Sequence, residues 1–339
     1  MKAFIVDRYG KGSGRLGEMA EPELREDDVL VQVHAAGVNP LDSKIRNGEF
    51  KLLLPYRLPL ILGNEAAGVV LRVGSRVQRF KPGDEVYARP DKDRIGTFAE
   101  LIAINEADVA LKPKTLGMEE AASIPLVALT AWQALVERAK LKRGDKVLIH
   151  AGSGGVGTIA IQLAKHLGAL VATTTSSSNV DFVKSLGADV VVDYKKDDFE
   201  KTLRDYDAVL NSLDARTLRK SLNVLKSHGK LISISGPPDP EFADEMRLNW
   251  GVKQVMRLLS YRIRKASKRR RVSYSFLFMK ASGEQLREIS RLIDAKDIRP
   301  IVDRVSVRID KRGSGPCRHR ARQGQGRCQA ETVVSQRPS

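Results

Sequence analysis

Residues 147–157 read Val-Leu-Ile-His-Ala-Gly-Ser-Gly-Gly-Val-Gly, a run of strand character that leads into a glycine-rich turn. A helical pattern follows directly, and a second strand pattern lies at 169–174. In such a turn one glycine permits the sharp exit from the strand, another lets the backbone approach a pyrophosphate, and a third allows close helix–strand packing. The N–H groups of the helix N-terminus would then face the phosphates. The stretch therefore predicts a dinucleotide site whose cofactor-binding residues include Gly152, Gly154, Gly155, Val156 and Gly157.

Strand and helix patterns alternate on the C-terminal side of this turn. Strands are predicted at 146–150, 169–174, 189–192, 207–210 and 230–235, with helices between them. This alternation is typical of a parallel, doubly wound sheet. The first 100 residues read instead as β structure with turns. The sequence therefore predicts an α/β fold in which a β-rich domain precedes a Rossmann domain.

The end of the second strand bears on which dinucleotide is bound. Proteins that prefer NAD place an Asp or Glu there, where it binds the ribose 2′-OH. Here a row of hydroxyl side chains runs from Thr173 to Ser178, and the first acid, Asp181, is predicted to lie in the next helix. Because no carboxylate ends this strand to repel a 2′-phosphate, NADP(H) is predicted, with Ser176 and Ser177 among its ligands. Capping of the next helix is a compatible interpretation of the same hydroxyls.

Length and composition place broad limits on the protein. The chain has 339 residues, of which 42% are hydrophobic, which is enough for two domains with substantial cores. No apolar run is long enough to span a bilayer, and no signal or transit peptide is predicted. Cys317 and Cys328 both lie near the C-terminus, so a disulfide framework and thiolate metal sites are excluded from the main body. We therefore predict a cytoplasmic protein.

The net charge of +17 is concentrated in two places. Residues 306–339 carry eight Lys or Arg against two acids, and Arg262–Arg271 has seven basic residues in ten. No aromatic residues interleave these runs to stack on bases, so nucleic-acid binding is not predicted and solvated basic loops are favoured. The same runs show no clear amphipathic stripe, so no membrane partner is predicted either.

Five separated motifs, in the same order, resemble those of the zinc-free branch of the medium-chain dehydrogenase/reductase superfamily. They are Ala35-Ala-Gly-Val-Asn39-Pro-Leu-Asp42, Gly63-Asn-Glu65-Ala-Ala-Gly68, Lys81-Pro-Gly-Asp84, Leu129-Thr130-Ala-Trp132 and Ala151-Gly-Ser-Gly-Gly-Val-Gly157. The chain is most similar to NADPH-dependent quinone oxidoreductases and alkenal/enone reductases. The resemblance covers about residues 1–305. It implies a GroES-like catalytic domain at 1–124, completed by 281–305, and a Rossmann NADP-binding domain at 125–280.

The zinc-dependent members of this superfamily place a Cys soon after the Ala-Gly-Val segment and a His in a Gly-His-Glu motif. This chain has Asn39-Pro-Leu-Asp42 in the first place and Asn64 in the second. A tetrahedral catalytic zinc therefore lacks a plausible ligand set, and no metal is predicted. Glu65 is retained, and we expect it to be a hydrogen-bonding structural residue.

The resemblance implies hydride transfer from NADPH to an enone, an enal or a quinone. These acceptors need no Lewis acid, since the hydride yields a delocalised enolate or hydroquinone anion that hydrogen bonds can stabilise. Candidates for orienting the acceptor carbonyl are Asn39, Asp42 and Lys44, although Asp42 could equally cap a turn. The alternative is a catalytically impaired dinucleotide-binding protein that acts by interaction, including RNA binding.

Further cofactor contacts are implied by the resemblance alone. Thr130 is expected near the nicotinamide half of the cofactor, Tyr194 near the adenosine phosphate, and Ser235 with Gly236 at the edge of the sheet facing the same crevice. The resemblance also implies a homodimer formed through a strand at Tyr274–Met279.

Two features depart from the family pattern. Relatives usually carry a Lys close to position 178, where this chain has Ser178. Relatives also end with a helix and a basic strand, whereas the sequence after Arg308 shows neither pattern. Residues 306–339 are therefore predicted to form an atypical, disordered tail, and we hypothesise that the reading frame shifts near residue 306.

Overall fold

The computed structural model describes residues 1–51, 53–308 and 331–335, and for 304–308 and 331–335 it describes the backbone alone. The chain forms two compact units. Unit 1 holds Met1–Leu126, Ala281–Arg291 and the described part of Pro300–Gln336. Unit 2 holds Val127–Lys280 and Leu292–Arg299.

The first segment of unit 1 consists mainly of strands. They are β1 (Lys2–Val6), β2 (Arg15–Glu18), β3 (Asp28–Val38), β4 (Leu60–Ile61), β5 (Ala66–Val73), β6 (Glu85–Ala88), β7 (Leu101–Asn105) and β8 (Val109–Leu111). Two helices accompany them, α1 (Pro40–Asn47) and α2 (Met118–Ala122). Alternating β-branched residues separated by turns such as Lys81-Pro-Gly-Asp84 favour strands here.

Strands and helices alternate in the next part of the chain. The helices are α3 (Pro125–Trp132), which continues as a π-helix at Gln133–Arg138, α4 (Gly155–His166), α5 (Val180–Ser185), α6 (Phe199–Thr202), α7 (Ala215–Lys220), α8 (Pro240–Glu245), α9 (Trp250–Leu259) and α10 (Tyr261–Arg269). The strands are β9 (Lys146–Ile149), β10 (Leu170–Thr175), β11 (Val190–Asp193), β12 (Tyr206–Asn211), β13 (Leu225–Ser233) and β14 (Ser273–Phe276). Helix α11 (Gly283–Asp294) and strands β15 (Arg304–Arg308) and β16 (Glu331–Ser335) follow.

The six strands of unit 2 form one parallel sheet in the order β11-β10-β9-β12-β13-β14. Leu148, Val209 and Leu231 from its central strands are fully buried. The predicted doubly wound parallel sheet is therefore confirmed. Its strand order reverses between β9 and β12, and ligands of such sheets bind beyond the carboxyl ends of the strands at this point.

Unit 1 contains two sheets. A small sheet has the order β2-β1-β4, and a larger one the order β15-β16-β3-β5-β6-β8, with β7 also paired to β3. The larger sheet packs around buried valines that include Val29, Val31, Val70 and Val86. Strand β3 is central, because β5 lies on one side of it while β7 and β16 share the other side.

The C-terminal region differs from the sequence prediction. Strand β16 pairs in parallel with β3, from Thr332 opposite Ala35 to Ser335 opposite Val38, and β15 pairs antiparallel with β16. The expectation of no strand after Arg308 is therefore corrected for Glu331–Ser335, where a Thr-Val-Val run favours a strand and β3 offers unpaired backbone groups. Residues 309–330 lie outside the described residues. The frame-shift hypothesis stays a prediction, which translation of the other two reading frames tests.

Candidate functional site

The glycine-rich turn lies between β9 and α4, at the carboxyl edge of the sheet of unit 2. Gly154 is the N-cap of α4, and its N–H donates to the Ala151 carbonyl at 2.9 Å. A Cβ on Gly157 would lie 2.3 Å from that same carbonyl oxygen and 2.7 Å from the Gly152 Cα, so no side chain fits there. The turn is thus packed directly on the start of the helix. Its first-turn N–H groups, which have no acceptor within the helix, belong to Gly155, Val156 and Gly157.

Gly152 holds the turn against the neighbouring strand. Its N–H donates to the Thr174 carbonyl at 3.0 Å, and a Cβ at this position would lie 2.0 Å from the Thr173 hydroxyl oxygen. Only a residue without a side chain can therefore approach β10 so closely. The two glycines thus keep the turn close to β10 and to the start of α4. That this turn holds a pyrophosphate stays a prediction.

A buried histidine directly before this turn, which the sequence analysis missed, connects the turn to neighbouring elements. The imidazole of His150 lies 3.1 Å (Nδ1) from the Thr174 hydroxyl and 2.9 Å (Nε2) from the Ser221 hydroxyl. Burial lowers the pKa of His150 to about 3, so the ring is neutral at physiological pH. His150 therefore joins β9 to β10 and to the end of α7 without titrating. A His at the end of an apolar strand is the only signal that could have indicated this role.

The predicted 2′-phosphate residues lie where β10 and β11 end. The Ser177 hydroxyl donates to the carboxylate of Asp193, the last residue of β11, and this hydrogen bond holds the pKa of Asp193 below its ordinary value. Tyr194 follows and is 61% exposed. The sequence analysis considered only acids that follow β10 along the chain. Asp193 belongs to β11, and it lies beside the end of β10 because it pairs with Thr175 in the parallel sheet. A carboxylate is thus present beside Ser177, accompanied by Lys196 at 3.8 Å.

The remaining cofactor candidates also belong to unit 2. The exposed Ser235 hydroxyl donates to the Leu213 carbonyl, and the Gly236 N–H donates to the Ser233 hydroxyl at 2.8 Å. Both follow β13, so they share the carboxyl edge of the sheet with the glycine turn. Thr130 is buried on α3. The structure thus collects most of the predicted cofactor residues at one edge, and their contact with a cofactor stays a prediction.

Unit 1 contains a buried set of hydrogen bonds that we term the carboxylate–amide network, formed by Asn39, Asp42, Asn64 and Glu65. The Asn39 N–H and the Asn64 side-chain amide donate to the two oxygens of Asp42, each at 2.7 Å. The Asn39 side-chain amide donates to Glu65 at 2.6 Å, and the Leu126 N–H donates to the other Glu65 oxygen at 2.7 Å. Asp42 therefore caps α1, and Glu65 is the hydrogen-bonding structural residue that the sequence predicts.

The electrostatics of this network follow from its burial. Loss of hydration raises the pKa of Asp42 to about 6 and that of Glu65 to about 7, although the hydrogen bonds oppose both shifts. The positive charge of Arg89, which is also buried, lowers both pKa values less than burial raises them. The sequence analysis missed Arg89, because nothing in the pattern of β6 indicates that the next residue is internal.

The three residues proposed to orient a carbonyl do not lie in one environment. Asn39 and Asp42 are buried, with their polar atoms engaged in the carboxylate–amide network. Lys44, on the following turn of α1, is exposed. The structure therefore gives the first two a clear role in holding the loop and leaves Lys44 accessible from solvent.

The raised pKa values predict that folding stability falls as pH rises. At about pH 5 the native state keeps protons on Asp42 and Glu65 that the unfolded state has released, and above about pH 8 both carboxyls are ionised in both states, so the burial penalty is complete. We expect a loss of about 3 kcal/mol over this range. Urea unfolding of the wild type and of Asp42→Asn/Glu65→Gln measures it. The double variant should show a markedly smaller loss, and parallel pH profiles would contradict the assignment.

Comparison with known proteins then identifies the chain. Residues 25–114 match the model of the alcohol dehydrogenase GroES-like domain, and residues 186–311 match that of a zinc-binding dehydrogenase. The mitochondrial NAD(P)H oxidoreductase RTN4IP1 of Danio rerio is 36% identical over 329 residues, covering 90% of this chain and 84% of that protein. The chain belongs to the medium-chain dehydrogenase/reductase superfamily.

Other medium-chain dehydrogenases/reductases are also similar. The chloroplastic NADPH-dependent alkenal/one oxidoreductase of Arabidopsis thaliana is 39% identical over 251 residues, covering 71% of this chain and 64% of that protein. The quinone oxidoreductase structure from Coxiella burnetii has a TM-score of 0.77 at 31% identity and covers 89% of this chain and 90% of that one. The predicted resemblance to quinone and alkenal reductases is confirmed. These relatives give no support to the non-catalytic alternative.

The location of this medium-chain dehydrogenase/reductase stays a prediction. Two of its relatives are described as mitochondrial and chloroplastic, not cytoplasmic. Within the part of the chain that the structure describes, every helix is too short or too polar to cross a bilayer.

Proposed function

We propose that this protein is a zinc-independent, NADPH-dependent oxidoreductase that reduces conjugated carbonyls (enones or enals) or quinones. The carboxylate–amide network is the observation that carries the proposal. It occupies the segments in which the zinc-dependent members of the superfamily keep their metal ligands. The Arabidopsis relative is named as an NADPH-dependent alkenal/one oxidoreductase, and the structural neighbour from Coxiella burnetii is a quinone oxidoreductase.

The residues at this place do not fit a zinc ion. Asn64 donates its amide to Asp42, and each oxygen of Asp42 and Glu65 already accepts a hydrogen bond. Zinc favours thiolate and imidazole ligands in a tetrahedral set. Among residues 1–51 and 53–303, no His, Cys, Asp and Glu side chains group in threes as metal ligands would. The proposed reaction therefore includes no Lewis-acid step.

The acceptor class follows from this chemistry. NADPH, when bound, supplies a hydride to the β-carbon of an enone or to a quinone ring. The electron pair then moves to the carbonyl oxygen, giving a delocalised enolate or hydroquinone anion that solvent protonates. Hydrogen-bond donors suffice to stabilise such an anion. An isolated ketone or an alcohol would gain far more from a metal, so we propose that these are poor substrates.

Unit 2 contains the residues proposed to hold the cofactor. The N–H groups of Gly155, Val156 and Gly157 would bind the pyrophosphate at the start of α4. We assign Ser176, Ser177 and Tyr194 to the adenosine phosphate. Thr130, Ser235 and Gly236 are assigned to the nicotinamide half. What supports this assignment is the absence of room for a Cβ at Gly157, which packs the turn directly on the start of α4.

Unit 1 contributes the residues proposed for the acceptor. Asn39 and Asp42 are positioning residues in this proposal, because their polar atoms fix the loop between β3 and α1. Lys44 is proposed to donate to the acceptor oxygen, since its ammonium group is exposed on α1.

Ser178→Lys is expected to strengthen NADPH binding by about tenfold. The new ammonium group restores the cation that relatives usually carry near this position, and one charge-assisted contact with the 2′-phosphate is worth about 1–3 kcal/mol. Titration of NADPH and NADH by fluorescence measures the change. NADH affinity should not move. Thr202→Lys, which adds the same charge at an exposed site on α6, is the matched control. Equal gains in both variants would contradict the assignment of Ser176–Ser178 to the phosphate.

We also propose a homodimer through β14. This strand is at one end of the six-stranded sheet, so in the described chain it pairs with β13 alone. A free sheet edge is a surface on which a second copy can continue the sheet. Light scattering of purified protein tests this, and a monomeric mass at micromolar concentration would reject it.

The activity is tested with purified full-length protein, NADPH and a panel of enals, enones and quinones. We expect NADPH oxidation with several of these acceptors, much less with NADH, and no loss after exhaustive treatment with a zinc chelator. Simple ketones serve as the matched negative substrates. Loss of activity on chelation would reject zinc independence, and absence of turnover while NADPH still binds would favour a binding role.

A further inference from the structure

Helices α9 and α10 present apolar side chains to solvent. Met256 and Ile263 face inward, whereas Trp250, Leu258 and Leu259 are 76%, 76% and 61% exposed. Val255 and Tyr261 are exposed beside them. Helical hydrogen bonds continue across the junction, from the Ser260 N–H to the Met256 carbonyl and from the Arg264 N–H to the Ser260 carbonyl. These consecutive helices therefore form one surface, the α9–α10 surface, made of residues 250–271.

The same surface carries a concentrated positive charge. Between Met246 and Gly283 the sequence has eleven Lys or Arg and no Asp or Glu. On α10 and just beyond it, Arg262, Lys265, Lys268 and Arg269–Arg271 are exposed. Of the cations in 250–271, Lys253 is the one that forms an ion pair with a carboxylate in the described part of the chain, to Asp244. Two further cations have uncharged partners, since Arg270 donates to the Asn223 side-chain oxygen at 2.8 Å and the Lys265 ammonium lies 5.4 Å from the centre of the Tyr261 ring. In the described structure, the positive charge of 250–271 other than that of Lys253 is therefore not neutralised by a carboxylate.

We propose that the α9–α10 surface attaches the protein to the surface of an anionic lipid bilayer. Exposed Trp and Leu side chains on a helix can enter the boundary between headgroups and acyl chains, while neighbouring Lys and Arg contact anionic headgroups. Here α9 supplies the apolar part and α10 the cationic part. The attachment is peripheral and does not require a spanning helix. It differs from the expectation of no membrane partner, because the exposed apolar residues lie on α9, N-terminal to the basic run at 262–271.

Two other occupants fit this surface less well. A second copy of the chain would bring two surfaces of the same positive charge together without an acid to neutralise either. A nucleic acid would pair with the cations, but the exposed Leu258 and Leu259 would gain nothing from phosphates or from hydrogen bonds to bases. An anionic bilayer offers an apolar region to the exposed side chains of α9 and negative charge to the cations of α10.

Co-sedimentation of the full-length protein with vesicles tests the proposal. One vesicle set is phosphatidylcholine alone, and the other is phosphatidylcholine with phosphatidylglycerol. We expect the protein to sediment with the anionic vesicles at low salt and to remain in solution with the neutral ones. The emission of Trp250, which is exposed in the free protein, should shift to shorter wavelength on binding. Trp250→Phe should lose that shift and identify its source.

Two variants separate the parts of the surface. Arg262→Gln/Lys265→Gln/Lys268→Gln should lower the partition coefficient on the order of 100-fold, and Leu258→Ser/Leu259→Ser on the order of tenfold. The matched control, Lys142→Gln/Lys184→Gln/Lys201→Gln, removes the same charge from exposed positions elsewhere in unit 2. It should bind vesicles as the wild type does. All substituted side chains are exposed, and equal thermal unfolding of the variants verifies that their folds are intact.

Several results would overturn the proposal. One is a wild type that does not bind anionic vesicles at low salt. Another is a control variant that loses as much binding as the α10 variant, which would mean that net charge alone acts. Binding of RNA without binding of vesicles would assign the surface to nucleic acid. A halving of mass in Leu258→Ser/Leu259→Ser, without vesicle binding by the wild type, would assign it to a second copy. None of these outcomes depends on turnover, so the proposed reductase activity stands or fails separately.

Discussion

Gly157→Val should abolish measurable NADPH binding. A Cβ at this position would lie 2.3 Å from the Ala151 carbonyl oxygen and 2.7 Å from the Gly152 Cα, and both are backbone atoms that no side-chain rotation can move away. The turn must therefore shift, which misplaces the N–H groups proposed to hold the pyrophosphate. Losing two charge-assisted hydrogen bonds at about 1.5–3 kcal/mol each corresponds to a Kd raised at least about 100-fold. NADPH fluorescence titration and calorimetry measure this change.

The matched control for this variant is Gly117→Ala. A Cβ at Gly117 meets its nearest heavy atom at 3.6 Å, which is ordinary van der Waals contact, so the substitution should leave NADPH affinity and thermal stability nearly unchanged. Gly157→Val should also unfold at lower temperature, since crowding in a packed region costs about 1–3 kcal/mol. If Gly157→Val bound NADPH within about threefold of the wild type, the glycine-rich turn would not be the pyrophosphate site.

The local part of this architecture could be predicted because its causes are local in the chain. The strand at residues 146–149 and the helix from Gly155 follow from the apolar pattern on each side of four glycines within six residues. Gly152 and Gly157 are each required by a contact with a residue close in sequence or on the adjacent strand. Patterns of this kind are visible in a single sequence.

The parts of the site that could not be predicted depend on pairing between distant segments. Asp193 reaches Ser177 only because β11 is parallel to β10 in one particular register. His150 is neutral because it is enclosed by Thr174 and Ser221, and Ser221 lies 71 positions further along the chain. Periodicity contains no information about such partners. The sequence could indicate the type of each residue but not the burial that determines its charge.

The carboxylate–amide network could be predicted in part, since its residue types are visible in the sequence but their pairing is not. Replacement of the expected metal ligands by Asn64 and by the Asn39–Asp42 segment could be recognised from the sequence. That Asn64 pairs with Asp42 and Asn39 with Glu65 could not, because the pairs join residues 22 and 26 positions apart through the fold of unit 1. The structure thus explains how these segments can be ordered without metal ligands. Each oxygen of the two buried carboxyls accepts a hydrogen bond, either from an Asn side-chain amide or from a backbone N–H.

Glu65→Ala should destabilise unit 1 by about 3–5 kcal/mol. Glu65 is fully buried, and its oxygens accept from the Asn39 amide at 2.6 Å and from the Leu126 N–H at 2.7 Å. Truncation leaves both donors buried without an acceptor, at about 1–3 kcal/mol each, and opens a cavity. Urea unfolding followed by circular dichroism measures the loss.

Glu65→Gln separates hydrogen bonding from charge at the same volume. Its carbonyl oxygen can accept from one of the two donors, so we expect it to lose only about half as much stability as Glu65→Ala near pH 5. The pKa of Glu65 is raised to about 7 by burial, so the wild type carries a growing penalty as pH rises while Glu65→Gln does not. The difference in free energy of unfolding between the wild type and Glu65→Gln should therefore shrink from about pH 5 to about pH 8. If Glu65→Ala and Glu65→Gln were equally stable at every pH, the two hydrogen bonds would contribute nothing, and the network would not be what holds the loop between β3 and α1 in place.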